Sequence, residues 1–187
     1  MGFVSALWIP ILLSAVIAFV VSSLIHMVFT YHKADFKKMP NEDAVMDALR
    51  KLGIPPGDYS MPLCESPKDM KSPEYVEKMK KGPMALITII RPGSINMGKC
   101  LLQWFVYIVV VNFFAAYIGS HTVNPGADYL AVFRVVGCTA FMGYALAQIP
   151  NSIWYMRNWG TTMRMMFDGL LYALVTAGTF GWLWPRG

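Results

Sequence analysis

Few side chains in this sequence have the type and spacing to do chemistry, and most of them stand beside long apolar runs. The three histidines are His26, His32 and His121. A haem with two axial histidines, or a metal ion held between imidazoles, needs two of them facing each other at one depth. His26 and His32 close the first apolar run, whereas His121 follows the second, on the opposite side of a four-span topology. His26 and His32 are six residues apart, a spacing that a continuing helix points to different faces. Neither pairing favours haem or metal, and no cofactor is expected.

The remaining polar groups are read one by one. Asp168 stands where the fourth apolar run begins, and N-capping accounts for it there. Arg157 and Arg164 precede it, and two guanidinium groups in an aromatic interfacial layer suit an anionic lipid headgroup better than catalysis. Asn112 lies near the middle of the second run, where an amide hydrogen-bonds across to another helix. If the protein conducts a solute, Asn112, Gln103 and Gln148 are its pore-lining candidates. No paired carboxylates or histidine–carboxylate relay is evident within the runs, as proton-coupled transport would require. Cys64, Cys100 and Cys138 form no C-x-x-C, so neither a disulfide framework nor a zinc site is indicated. Met163, Met165 and Met166 cluster beside Arg164 and read as flexible apolar filler rather than a Cu(I) site. Nothing matches a phosphate-binding loop, a dinucleotide fingerprint or a hydrolase nucleophile motif. The chain is therefore not expected to be an enzyme.

The elements that carry these residues follow from composition. Of 187 residues, 56% are hydrophobic and 14% charged, with a mean hydropathy of +0.44. Soluble domains carry about 25% charged residues, so a water-soluble enzyme, a nucleic-acid module and a disordered regulator are excluded. An all-α integral membrane protein with four transmembrane helices is expected. Phe3 to Tyr31 holds no Asp, Glu, Lys or Arg, and residues 1–32 form the first span. Three more, at about 100–120, 130–150 and 167–185, make 100–187 a three-helix region. Pro10 is placed in the tolerant first turn of the first helix. That run is too long, and its start too poor in Lys and Arg, for a cleaved signal peptide.

Residues 33–99 differ from the rest, with twelve of the sixteen basic and nine of the eleven acidic residues. Adding Arg157 and Arg164 puts fourteen basic residues on one side against Arg134 and Arg186 on the other. Basic residues favour the cytoplasmic face. The reading is a multi-pass protein of the cell (inner) membrane, with both termini outside and 33–99 cytoplasmic. Eight of the twelve prolines also fall in this insert. Two short helices are expected, one from Asn41 to Gly53 and one capped by Ser72 and stopped by Gly82. The stretch from Ile54 to Lys71 is expected to be extended and polyproline-like. Residues 84–90 read as a strand or a membrane-surface segment, with no obvious strand partner in this chain. With few large apolar side chains, the insert is expected to be a belt of short helices rather than an independent domain.

In the fourth span, Gly169, Ala173, Ala177 and Gly181 recur every four residues and give one side of the helix a small-residue stripe. Such stripes let helix backbones approach closely in lipid, either within the chain or between copies. The third span has a looser version in Gly137, Ala140, Gly143 and Ala147. Function is expected to be non-catalytic: an accessory, assembly or structural subunit of a membrane complex, or a self-associating scaffold. The expected partners are membrane lipid and either further copies or other membrane subunits, with no nucleic acid. A small oligomeric transporter or channel is the alternative.

Overall fold

The computed structural model describes residues 2–186. In chain order its helices and strands are α1 (Phe3–Val28), α2 (Glu42–Leu52), β1 (Gly57–Met61), α3 (Pro73–Lys81), β2 (Ala85–Ile89), α4 (Met97–Thr122), α5 (Tyr129–Tyr144), α6 (Ile149–Trp154) and α7 (Trp159–Leu183). They form two compact units: Lys38–Asn96, and the chain on either side of it.

The flanking unit is a bundle whose four long helical segments are apolar enough to cross a membrane. These are α1, α4, Tyr129–Trp154 and α7, with mean hydropathies of 2.5, 1.9, 1.7 and 1.2. The third segment is interrupted. Pro150 has no N–H to continue the ladder, so α5 ends at Tyr144 and a 3-10 turn, Leu146–Gln148, leads into α6 with the proline in its first turn. The fourth starts earlier than its apolar run suggests. Asn158 accepts the Gly160 N–H at 2.7 Å and caps the helix, so α7 begins at Trp159. Asp168 therefore lies inside α7 and caps nothing. Pro10, likewise, lies in the interior of α1, because that helix already starts at Phe3.

The small-residue stripe is used within the chain. A methyl group on Gly169 would sit 2.7 Å from the Tyr144 carbonyl of α5, and one on Gly181 would sit 2.7 Å from the Tyr129 ring. Ala177 meets Gly137 of α5, and Ala173 is buried in one cluster with Ala140 and Tyr144. Between these contacts, Asn112 ties the bundle together. Fully buried, its amide donates to Ser14 Oγ at 2.8 Å and to the Ile11 carbonyl at 3.3 Å. Its oxygen accepts from Tyr144 Oη at 3.0 Å and from Thr176 Oγ1 at 3.2 Å. One side chain of α4 thus reaches α1, α5 and α7, which is the cross-helix role its sequence position suggests.

The second unit departs further from its sequence reading. The apolar segment 84–90 finds a partner in its own chain: β2 pairs antiparallel with β1, in the register Gly57↔Ile89, Tyr59↔Ile87, Met61↔Ala85. The presumed extended stretch supplies that partner because Pro55, Pro56 and Pro62 bracket a run whose N–H groups are all free to pair. The chain is thus not wholly helical. Ser72 caps α3 by accepting the Tyr75 N–H at 3.2 Å, and Gly53 takes the left-handed conformation that ends α2. Asn41 occupies the N-cap position of α2, but its side chain makes no capping bond. Val45, Leu49, Tyr75, Met79, Ile87 and Ile89 are half-buried, and no residue of this unit is fully buried.

Two substitutions test the bundle. Gly169→Ala should lower the unfolding free energy by about 1–3 kcal/mol, because backbone rather than a flexible side chain stands in the way. Gly178→Ala, whose methyl would make ordinary contact with Tyr129, should be near neutral. Asn112→Leu should cost about 1–2 kcal/mol by removing the bonds that join α4 to three helices, with Ser14 and Tyr144 falling back on backbone carbonyls and Thr176 losing its Asn112 partner. Denaturant titration in mixed micelles measures all three, and equal effects of the two glycine variants would refute the close approach.

Candidate functional site

The densest polar cluster forms where α1 ends. The ladder stops at Val28, Phe29 turns extended with ψ 137°, and a 3-10 turn, Tyr31–Asp35, packs against α7. The run Val28-Phe29-Thr30-Tyr31 is β-branched and aromatic, of low helix propensity. On α7, Arg164 and Asp168 are one turn apart and share a face.

His32 stands between two carboxylates. Its Nδ1 is 2.7 Å from Asp35 Oδ2 and its Nε2 is 2.7 Å from Asp168 Oδ2. Each contact is short enough to hold one proton between the ring nitrogen and the carboxylate oxygen facing it. Asp35 Oδ1 also accepts from Arg164, whose Nε is at 2.8 Å and a terminal nitrogen at 2.6 Å. Asp168 Oδ1 accepts from the Tyr31 hydroxyl. The two carboxylates are almost completely covered, with side chains 5% and 4% exposed. The His26 ring stacks on His32, with centroids 4.6 Å apart and planes within 7°. Its Nδ1 is 2.9 Å from the Ser22 carbonyl, which can only accept, so Nδ1 donates and Nε2 is the nitrogen left for another partner. One donor atom each from His26, His32 and Asp168 lies within 4.8 Å of the other two.

Burial raises the affinity of Asp35 for a proton, but the hydrogen bonds from His32 and Arg164 outweigh it and hold the carboxyl below its ordinary range. Burial, followed by the hydrogen bond to Asp168, pushes the Tyr31 hydroxyl well above the usual phenol.

Several sequence readings change here. His26 and His32 do not fall on different faces, because the helix ends between them and the chain turns back. A histidine does meet carboxylates here, at the end of the first span rather than within it, with Asp35 three residues on and Asp168 brought in from α7. Arg164 is engaged by Asp35 and remains partly exposed; Arg157 sits half-buried before α7, its backbone N–H on the Asn151 carbonyl. Of the pore-lining candidates, Gln103 is exposed, Gln148 accepts from Asn151, and Asn112 is enclosed. Asn112, Gly169, Ala173, Ala177 and Gly181 belong to helix packing, with Gly169 directly after Asp168 and the others further along the bundle. The signal that could have found it is a pair of opposite-charge sets, His32/Asp35 and Arg164/Asp168, at span ends assigned to one side.

Arg164→Gln should lower stability by about 1–3 kcal/mol at neutral pH, because Asp35 keeps its burial and loses one of its two cations. A depressed carboxylate stabilises the fold above its unfolded pKa and loses that contribution as the pH falls through its folded one. The deficit of the variant should therefore shrink on strong acidification. Unfolding titrations across pH test this, and a deficit independent of pH would contradict it.

Compared with protein-family models, with curated proteins and with solved structures, the chain matches none.

Proposed function

We propose that this protein is a non-catalytic multi-pass membrane protein that serves as an accessory or assembly subunit of a membrane complex. Both termini lie outside the cell membrane, and its Lys38–Asn96 unit docks a protein partner on the cytoplasmic side. The observation that carries this reading is the unfinished burial of that unit. It has secondary structure, caps and a paired hairpin, yet no residue of it is fully buried, and Leu52, Leu63, Met84, Leu86 and Ile95 are all more than half exposed. A unit of this size gains little stability from a half-covered interior, and exposed apolar surface on this scale marks an interaction site. The small stripe of α7 is already spent on α5, which leaves this unit and the outward faces of the helices for association. The basic bias of fourteen residues against two supports the cytoplasmic placement. A transporter or channel would need a polar path between copies, since Asn112 is closed off within its own chain.

Native mass spectrometry from nanodiscs tests the proposal. The chain, 21.0 kDa, should run within a larger assembly. Replacing Lys38–Asn96 by a short flexible linker should release a monomer whose bundle still unfolds cooperatively. A lone monomer from native membranes would sink this reading.

A further inference from the structure

We propose that His26, His32 and Asp168 form a binding site for one divalent transition-metal ion of the zinc class, held by His26 Nε2, His32 Nε2 and Asp168 Oδ2. The three residues come from α1, the turn after it and α7, and one donor atom of each already lies within 4.8 Å of the other two. What distinguishes them from a chance cluster is how their other polar atoms are occupied. The second nitrogen of His26 is fixed by the Ser22 carbonyl. The second nitrogen of His32 is fixed by Asp35, itself clamped by Arg164. The second oxygen of Asp168 is fixed by the Tyr31 hydroxyl. Metal-binding histidines characteristically give their other N–H to a carbonyl or a carboxylate, which sets the tautomer and aims the ligating nitrogen. All three residues here have that outer support, with one donor each turned inward.

An ion-pair network alone accounts for Asp35, Arg164, His32 and Asp168. It gives no role to His26 beyond the stacking of its ring on His32. The donor set chooses the ion: two imidazoles and one carboxylate suit zinc, cobalt, nickel or copper and disfavour the oxygen-seeking magnesium and calcium. Three protein ligands leave a fourth position for water or another small donor. Arg164 answers Asp35, and one proton lies between His32 Nε2 and Asp168 Oδ2. An entering divalent cation takes that proton's place, and the proton leaves to solvent.

Around a tetrahedral ion with bonds of about 2.0–2.1 Å, donors stand about 3.3 Å apart. The 2.7 Å separation of His32 and Asp168 then opens slightly, and His26 moves in. His26 is the exposed member of the three, so its ring can turn edge-on toward the ion, giving up the stack and lengthening the bond to Ser22.

The test uses the full chain in nanodiscs of uncharged lipid, stripped with chelator and titrated with Co2+ alone, then with Zn2+ in competition. One ion per chain is expected, with the visible absorption of four-coordinate Co2+ and release of one proton. His26→Gln and Asp168→Asn should each weaken binding at least tenfold. Asp35→Asn, which only aims His32, should weaken it by about 10- to 100-fold. His121→Gln, far along the chain on a different helix end, should change nothing. Because His26 is exposed, His26→Gln should unfold like the wild type without metal, and only the wild type should gain thermal stability from Zn2+. Absence of uptake by the wild type would overturn the site. Binding that His26→Gln leaves undiminished would overturn it equally.

Discussion

At Gly169 the α7 backbone comes so close to α5 that even one methyl group would collide with the Tyr144 carbonyl. Apolar helices in lipid gain little from being apolar, so close approach of this kind, together with hydrogen bonds between helices, must hold them. The contact also sets the height of everything else on α7. Asp168 is the preceding residue, and Arg164 lies one turn further back, so both meet the turn that follows α1. In the other direction Ala173 joins the Tyr144 cluster, Thr176 reaches Asn112, and Gly181 takes the Tyr129 ring. Moving α7 by one turn would break the helix packing and the charge cluster together.

The two polar systems of the bundle differ in what they cost. Asn112 is neutral and satisfied by four partners, so its burial needs only well-placed hydroxyls and one carbonyl. The cluster of Asp35, Arg164, His32 and Asp168 buries full charges, which is expensive unless each is paired. Its position at the helix end relieves part of that cost, because Arg164 remains partly exposed while the carboxylates are covered. The C-terminal end of α1 also carries the negative end of the helix dipole, which favours the histidines gathered there.

Much of the bundle could be read from the sequence, because its signals are local. Four apolar runs give four helices, a mid-span asparagine gives the cross-helix bond, and Ser72, Gly53 and Gly82 punctuate the insert as their conformational preferences dictate. What could not be read depends on distant partners. Val28-Phe29-Thr30 contains no glycine, proline or asparagine to announce a helix end, so His26 and His32 looked like members of one helix. Tyr31 and Asp168 are 137 residues apart, and no spacing rule joins them. Gly57-Asp58-Tyr59-Ser60-Met61 has little strand propensity of its own, and pairing with Ala85–Ile89 makes it a strand. The fourth span looked short because Gly160, Thr161, Thr162 and Arg164 dilute its hydropathy, although Asn158 caps the helix ahead of them.

The two proposed contacts follow the distribution of unfinished valences in this molecule. Inside the bundle nearly every polar group has a partner, and the small residues are consumed by neighbouring backbone. Among the described residues, the one buried side-chain atom left without a hydrogen bond of normal geometry is the Tyr172 hydroxyl, one turn along α7 from Asp168. A passage through the middle would demand the opposite, a line of polar groups facing space. Open capacity collects instead in two places: the lone pair of His26 at the end of α1, and the apolar side chains left exposed on Lys38–Asn96. A nitrogen lone pair calls for a cation, and uncovered apolar surface calls for another surface. The proposed metal ion would meet the first demand and the proposed protein partner the second, so the two can be satisfied independently.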